Sequence, residues 1–220
     1  MGIISVEQAD RLYWLGRYTE RVYTILNLYE KRYDMLIDSI SGNYSEFCKS
    51  IDIPDIYEDK TDFLNRYPYD NENPDSIISN LLRAYDNAIV LRESIGSEAL
   101  SFIQIAIYGM NKAMKSEAPV IELQKVNDNL LAFYGSVDDQ IESENIRNII
   151  MTGKRIERID LYARLGVPAK ELSSEIKRMI PRVEKSGLKY DEHKLEAIKG
   201  LSEEENPDYY TIVNMVETLF

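Results

Sequence analysis

Two similar six-residue phrases gather arginine and glutamate side chains able to do chemistry in this chain of 220 residues: Gly-Arg-Tyr-Thr-Glu-Arg at 16–21 and Gly-Lys-Arg-Ile-Glu-Arg at 153–158. They stand 137 positions apart (153 minus 16). A guanidinium offers a planar fork of donors that matches a carboxylate or a phosphate. Arg17, Arg21 and Arg158 therefore read as partners for Glu20, for Glu157, or for an acid on a ligand. On a helix, residues four apart share a face, which stacks Arg17 with Arg21 and Lys154 with Arg158. A glycine inside a helix costs about 1 kcal/mol relative to alanine. Gly16 and Gly153 thus imply something that must come close to the backbone at both places, most simply a neighbouring helix.

Further polar groups surround these phrases. Glu157 and Asp160 project from a stripe of Ile146, Ile149, Gly153 and Ile156, toward the core. There a carboxylate has to be paired, hydrogen-bonded, metal-bound or protonated. Arg92 and Glu98 flank another apolar stripe and are the expected partners. Glu20 falls away from the centre of its own helix's stripe, so its burial requires cover on a second side. Tyr13, Trp14 and Tyr18 could give that cover, either as aromatic core or as a surface that stacks a ligand.

The elements that must position these groups are helices. Ser5 and Gln8 have the form of a capping box. After them Leu12, Leu15, Val22, Leu26, Tyr29, Tyr33, Leu36 and Ile40 recur at steps of three and four, the stripe of a long helix packed along a bundle. Ser41-Gly42-Asn43 ends it. Residues 41–72, with Pro54, Pro68 and many acids, read as an irregular, solvated connection. Asn73-Pro74 suggests a cap and first residue for a helix with Ile77, Leu81, Ala84, Ala88, Leu91 and Ile95 on one face. Gly96-Ser97 breaks it and starts another. A helix from Pro119 to about Tyr134, a turn at Gly135, a helix from about Ser143 to Leu165 and short helices at Pro168 and Pro207 complete the pattern. No segment alternates with period two. The expectation is an all-α single domain over 1–220, a bundle of about six to eight helices. Its parts are a first helix (1–40), the connection (41–72), bundle helices (73–165) and a reduced C-terminal region (166–220).

Composition narrows the function. The chain is 44% hydrophobic and 29% charged, with a formal charge of −12, which disfavours nucleic acid as a partner because phosphate binding draws on a basic face. Cys48 is the single cysteine and pairs with nothing inside the chain. The start carries no secretory pattern, and the longest nearly uncharged run, 99–111, is too short and polar for a bilayer. A cytoplasmic protein is expected. Walker, dinucleotide-binding, Cys-x-x-Cys and His-Glu-x-x-His signatures are missing, so no cofactor or metal is assigned.

Three blocks, 9–36, 72–98 and 153–165, in this order resemble the signature regions of the bacterial alpha-E domain family. That resemblance implies an all-helical, internally duplicated fold. It also implies company: alpha-E proteins occur beside ATP-grasp ligase-like and transglutaminase-like proteins, from which a role in making or modifying a peptide follows. By position the family's polar residues correspond to Arg17, Glu20, Arg21, Asn87, Arg92, Glu98, Glu157 and Arg158, with Lys154 where arginine is usual. The first expectation is a binding or accessory component of an ATP-grasp-linked system, with those residues holding a carboxylate or organising an interface. It leaves room for a homo-oligomer. A second is an enzyme in which Glu20, Glu98 and Glu157 converge as acid/base groups or metal ligands. A ferritin-type di-iron site would need Glu-x-x-His pairs, and the one histidine, His193, sits in a polar segment. A third is an ion-pair network that only sets helix register.

Overall fold

The computed structural model describes residues 4–38 and 44–220, with side chains described outside 34–43. Among them the chain forms ten helices and no strand: α1 (Val6–Asp38), α2 (Tyr44–Ser50), α3 (Lys60–Arg66), α4 (Ile77–Val90), α5 (Arg92–Ala113), α6 (Pro119–Gln140), α7 (Glu144–Arg164), α8 (Ala169–Ser186), α9 (Glu192–Leu201) and α10 (Tyr209–Glu217). This exceeds the expected six to eight, because α2, α3 and α9 come from stretches read as irregular or polar.

The long first helix is 33 residues, roughly 50 Å at 1.5 Å per residue. Ser5 caps it, its Oγ accepting from the Gln8 amide at 3.1 Å. The reciprocal half of the box is not made, since the Gln8 side chain donates to Ser94 Oγ at 2.8 Å instead. Leu12, Leu15, Val22, Leu26 and Tyr29 are buried as the stripe requires. Its continuation to Leu36 and Ile40, and the stop at 41–43, lie outside the described side chains and residues.

Helix α4 starts three residues later than Asn73-Pro74 suggests. Ser76 is its cap, accepting from Ser79 N at 3.1 Å, while Asn73 Oδ1 accepts from Asp75 N at 2.9 Å in a turn ahead of it. The break at Gly96 is real, with φ of 85°. Gly135 does not turn the chain; α6 runs through it to Gln140. Helix α8 is long rather than short, and α10 is capped by Asp208.

The 41–72 connection is also corrected. Phe47, Cys48, Phe63 and Tyr67 are buried to 1% or less, and Tyr29, Phe47, Phe63 and Tyr67 stack or meet edge-on at 5.1–6.3 Å. Each such ring contributes about 1.5–3 kcal/mol by leaving water. The segment is a packed aromatic flank of α1.

Helix α7 lies between two apolar clusters. One is built on α1 and α4–α6; the other joins α7 to α8, α9 and α10 through Ile156, Ile159, Leu172, Ile176, Ile198 and Ile212. Helix α4 packs on α1, and α10 packs on α7. Glu-Asn-Pro-Asp precedes both, at 72–75 and 205–208, so the duplication extends beyond Leu165 into the region read as reduced. No described helix is long and apolar enough to cross a membrane.

Candidate functional site: a duplicated Glu-Arg clasp

Helices α1 and α7 touch backbone to backbone at the two glycines. A Cβ on Gly16 would run into the Ile150 carbonyl and lie 3.0 Å from the Lys154 amide nitrogen. A Cβ on Gly153 would run into the Tyr13 carbonyl and lie 3.2 Å from the Arg17 amide nitrogen. Adding 137 to 13, 16 and 17 gives 150, 153 and 154, so these are one contact seen from each helix. The crossing has a local pseudo-twofold axis. Such an axis sets the acid of each phrase opposite the guanidinium of the other.

The two halves differ in one detail. Glu157, 1% exposed, accepts from Arg17 Nε at 2.7 Å on one oxygen and from Arg21 Nε on the other. Glu20, fully buried, accepts from Arg158 Nε at 2.5 Å and from Thr24 Oγ1 at 2.9 Å, both on Oε1. Its Oε2 has no hydrogen bond. In register with Arg17 stands Lys154, whose ammonium lies 3.4 Å from the centroid of the Tyr134 ring. The Tyr134 hydroxyl in turn donates to the Gly16 carbonyl at 3.2 Å.

These surroundings set the charges. Burial acts to lower the pKa of Arg17 and Arg21, but Glu157 outweighs it and leaves both above the usual value. Glu20 does the same for Arg158. Lys154 lacks such a bond, and burial pushes its ammonium down to about 8, against the pull of Glu20 and with the help of Arg158 and Arg155. A lysine that is easier to deprotonate when folded weakens the fold while charged. Its penalty is therefore complete below about pH 8 and lifts as pH rises from there toward the ordinary value of 10.5. Between about pH 8 and 10 the wild-type chain should gain about 2 kcal/mol relative to Lys154→Met, measured by urea unfolding. Equal pH slopes for both proteins would refute this. The difference between the two cancels the buried tyrosines, which act in the opposite sense above pH 10.

Glu-Arg dipeptides at 20–21 and 157–158, facing each other across a helix crossing, agree with a family described as a predicted alpha-helical domain with a conserved ER motif, whose profile matches residues 7–197. The chain belongs to the Alpha-E family. Neither the curated proteins nor the solved structures searched gave a match.

Five of the eight residues that the Alpha-E resemblance singles out come together here: Arg17, Glu20, Arg21, Glu157 and Arg158. Three do not. Asn87 is half-buried on α4, where its Oδ1 accepts from Arg11 at 3.4 Å. Arg92 and Glu98 are exposed on α5, and Arg92 Nε donates to Ser97 Oγ at 3.1 Å. The expectation that they pair with Glu157 and Asp160 is therefore corrected. The chain bends at Leu91 and again at Gly96, so the stripe reaches Ile95 while its polar neighbours face outward. With Glu98 in solvent, the three acids Glu20, Glu98 and Glu157 do not converge. Among the described residues no three His, Cys, Asp or Glu side chains gather as a metal site would require.

Asp160 does point inward, at 1% exposure, and Arg164 is its partner at 2.9 Å. Burial, and then Glu157, raise its pKa. Arg164 also reaches Asp52 at 2.9 Å and Glu217 at 2.7 Å, tying α7 to the 41–72 segment and to α10. Sequence reasoning missed Glu175, which accepts from Arg155 at 2.5 Å and Arg178 at 2.7 Å and lies 3.8 Å from Arg158. The signal was present: Glu175 sits three residues after Leu172 and four before Met179, inside the buried stripe of α8.

Proposed function

We propose that this Alpha-E protein is an accessory or binding component of an ATP-grasp-linked system for peptide synthesis or modification, acting beside an ATP-grasp-type ligase and a transglutaminase-like protein. The observation that carries this reading is the enclosure of the Glu-Arg acids. Glu157 spends both oxygens on guanidinium groups, and Glu20 is sealed from solvent. Held so, neither acid is open to a substrate or a metal ion from solvent, although Glu20 Oε2 has no hydrogen bond. The clasp instead locks α1 onto α7 and holds the surfaces beside it in register. Arg21, whose side chain is 35% exposed, is where it reaches the surface.

Affinity purification of the tagged protein from its native host tests the proposal. An ATP-grasp-type ligase should co-elute, and Arg21→Glu, which reverses charge at the exposed edge, should weaken the association several-fold. A protein that elutes alone, with no affinity for the co-expressed ligase or its product, removes the reading.

A further inference from the structure

The pseudo-twofold axis exposes a second asymmetry, on the outer face of α1. On α7 the corresponding face is covered by α8: Arg182 donates to Asn148 at 3.1 Å, Arg155 to Glu175 at 2.5 Å, and Met151 is 3% exposed. Subtracting 137 from 148, 151 and 155 gives Arg11, Trp14 and Tyr18 on α1. Here α4 flanks the three without closing over them, Arg11 reaching Asn87 at 3.4 Å and Arg83 lying 5.8 Å from the Tyr18 ring, and all three stay half-buried. What remains is an open groove of about 490 Å³ between α1 and α4, lined by Asp10, Arg11, Trp14, Tyr18, Arg83 and Asp86 among others.

The charges in this groove are not balanced against one another. Arg11 is taken by Glu7 at 3.1 Å. Arg83 donates to the Pro74 carbonyl at 2.9 Å and lies 5.8 Å from the Tyr18 ring, yet meets no carboxylate among the described residues. Asp10 and Asp86 are exposed and stand in no ion pair among the described residues. One guanidinium and two acids thus face the same space, along a wall where Trp14 and Tyr18 stack at 5.2 Å. A purely anionic ligand such as a phosphate would meet the two acids, and a purely cationic one would meet Arg83. A molecule with both charges fits. At Asp10 and Trp14 the groove adjoins an apolar pocket of about 840 Å³, walled by Ile4, Ala9, Tyr13, Ile149, Leu188 and Phe220.

The geometry points to a binding site for a short zwitterionic peptide, with its free carboxylate on Arg83, its ammonium on Asp10 and Asp86, and an apolar side chain passing over Trp14 into the adjoining pocket. Charge-assisted hydrogen bonds fix the two ends, and burial of the side chain supplies the non-directional part of the affinity. The site deepens the accessory-component reading, on which it rests for its biological sense, by giving the class of molecule the protein holds.

Trp14 is the sole tryptophan, so its fluorescence reports the groove directly. Purified protein is titrated with free tripeptides Ala-Xaa-Ala in which Xaa is Leu, Phe, Met or Ala, and then with the C-amidated and N-acetylated forms. A saturable change with at least one free peptide is expected, about tenfold weaker after either block. Arg83→Ala should weaken the free peptide about tenfold and abolish the distinction between free and amidated forms, while Asp86→Asn should blunt the distinction between free and acetylated forms. Thermal unfolding checks that both variants stay folded. No saturable change up to about 10 mM, or equal binding of free and blocked peptides, overturns the site. Because only this protein and peptides are present, such a failure leaves ligase association standing, and a lone elution from the host leaves the groove standing.

Discussion

Glu157→Gln should lower the unfolding free energy by about 3–5 kcal/mol, the range found when one member of a buried ion pair is removed. The amide keeps the shape of the side chain and removes the charge that Arg17 and Arg21 face. Those guanidinium groups then stand half or more buried with no carboxylate between them, and each desolvation cost that Glu157 offset returns. Glu20→Gln should cost less, since Glu20 holds one arginine rather than two and its Oε2 has no partner to lose. Glu7→Gln on the exposed pair with Arg11 should change stability by about 0–1 kcal/mol. Urea unfolding of the three variants gives the order directly; a Glu157 loss below about 1 kcal/mol would mean that the clasp does not hold the crossing. The same variant also separates structure from function. If the proposed ligase association is measured and the folded fraction of the variant retains it in full, the clasp acts only through helix register. If binding is lost while the fold is kept, Arg17 and Arg21 belong to the interface itself.

Much of this clasp could be read from the sequence because its causes are local. Helical periodicity puts Leu12, Leu15 and Val22 on one line, and a glycine costing stability twice in the same phrase announces a close approach twice. The partners across the crossing were less legible. Nothing in a linear pattern says that Glu157 meets Arg17 rather than Arg92, because register between two helices is decided by the depth to which the glycines let them sink. Arg92 and Glu98 were misplaced for a related reason: a stripe of apolar residues continues through a bend at Leu91, so periodicity alone does not reveal that the polar residues beside it turn outward. The aromatic flank at 41–72 escaped because Phe47, Tyr57, Phe63 and Tyr67 keep no single period. Two short helices and the irregular stretch between them, 51–59, bury them, and composition rich in acids and proline hides the pattern.

Gly16→Ala and Gly153→Ala should each destabilise the protein by roughly 3 kcal/mol, and the sign is what makes the result decisive. In a helix, alanine in place of glycine ordinarily stabilises by about 0.5–1 kcal/mol, through the unfolded chain and better propensity. At Gly135, inside α6, a Cβ meets nothing within 4 Å, so Gly135→Ala should show that ordinary gain. At Gly16 and Gly153 the obstacle is a main-chain carbonyl of the opposite helix, which has no rotamer to retreat into. Relief requires α1 and α7 to separate along the crossing, and separation pulls Arg17 and Arg21 from Glu157 and Arg158 from Glu20. Close packing and ion pairing are therefore coupled, and the losses from Gly16→Ala and Glu157→Gln should sum to less than their separate values when combined, since each removes part of what the other depends on. Additive losses, or a Gly16→Ala protein as stable as Gly135→Ala, would mean that the guanidinium groups reach their acids without the glycine contact.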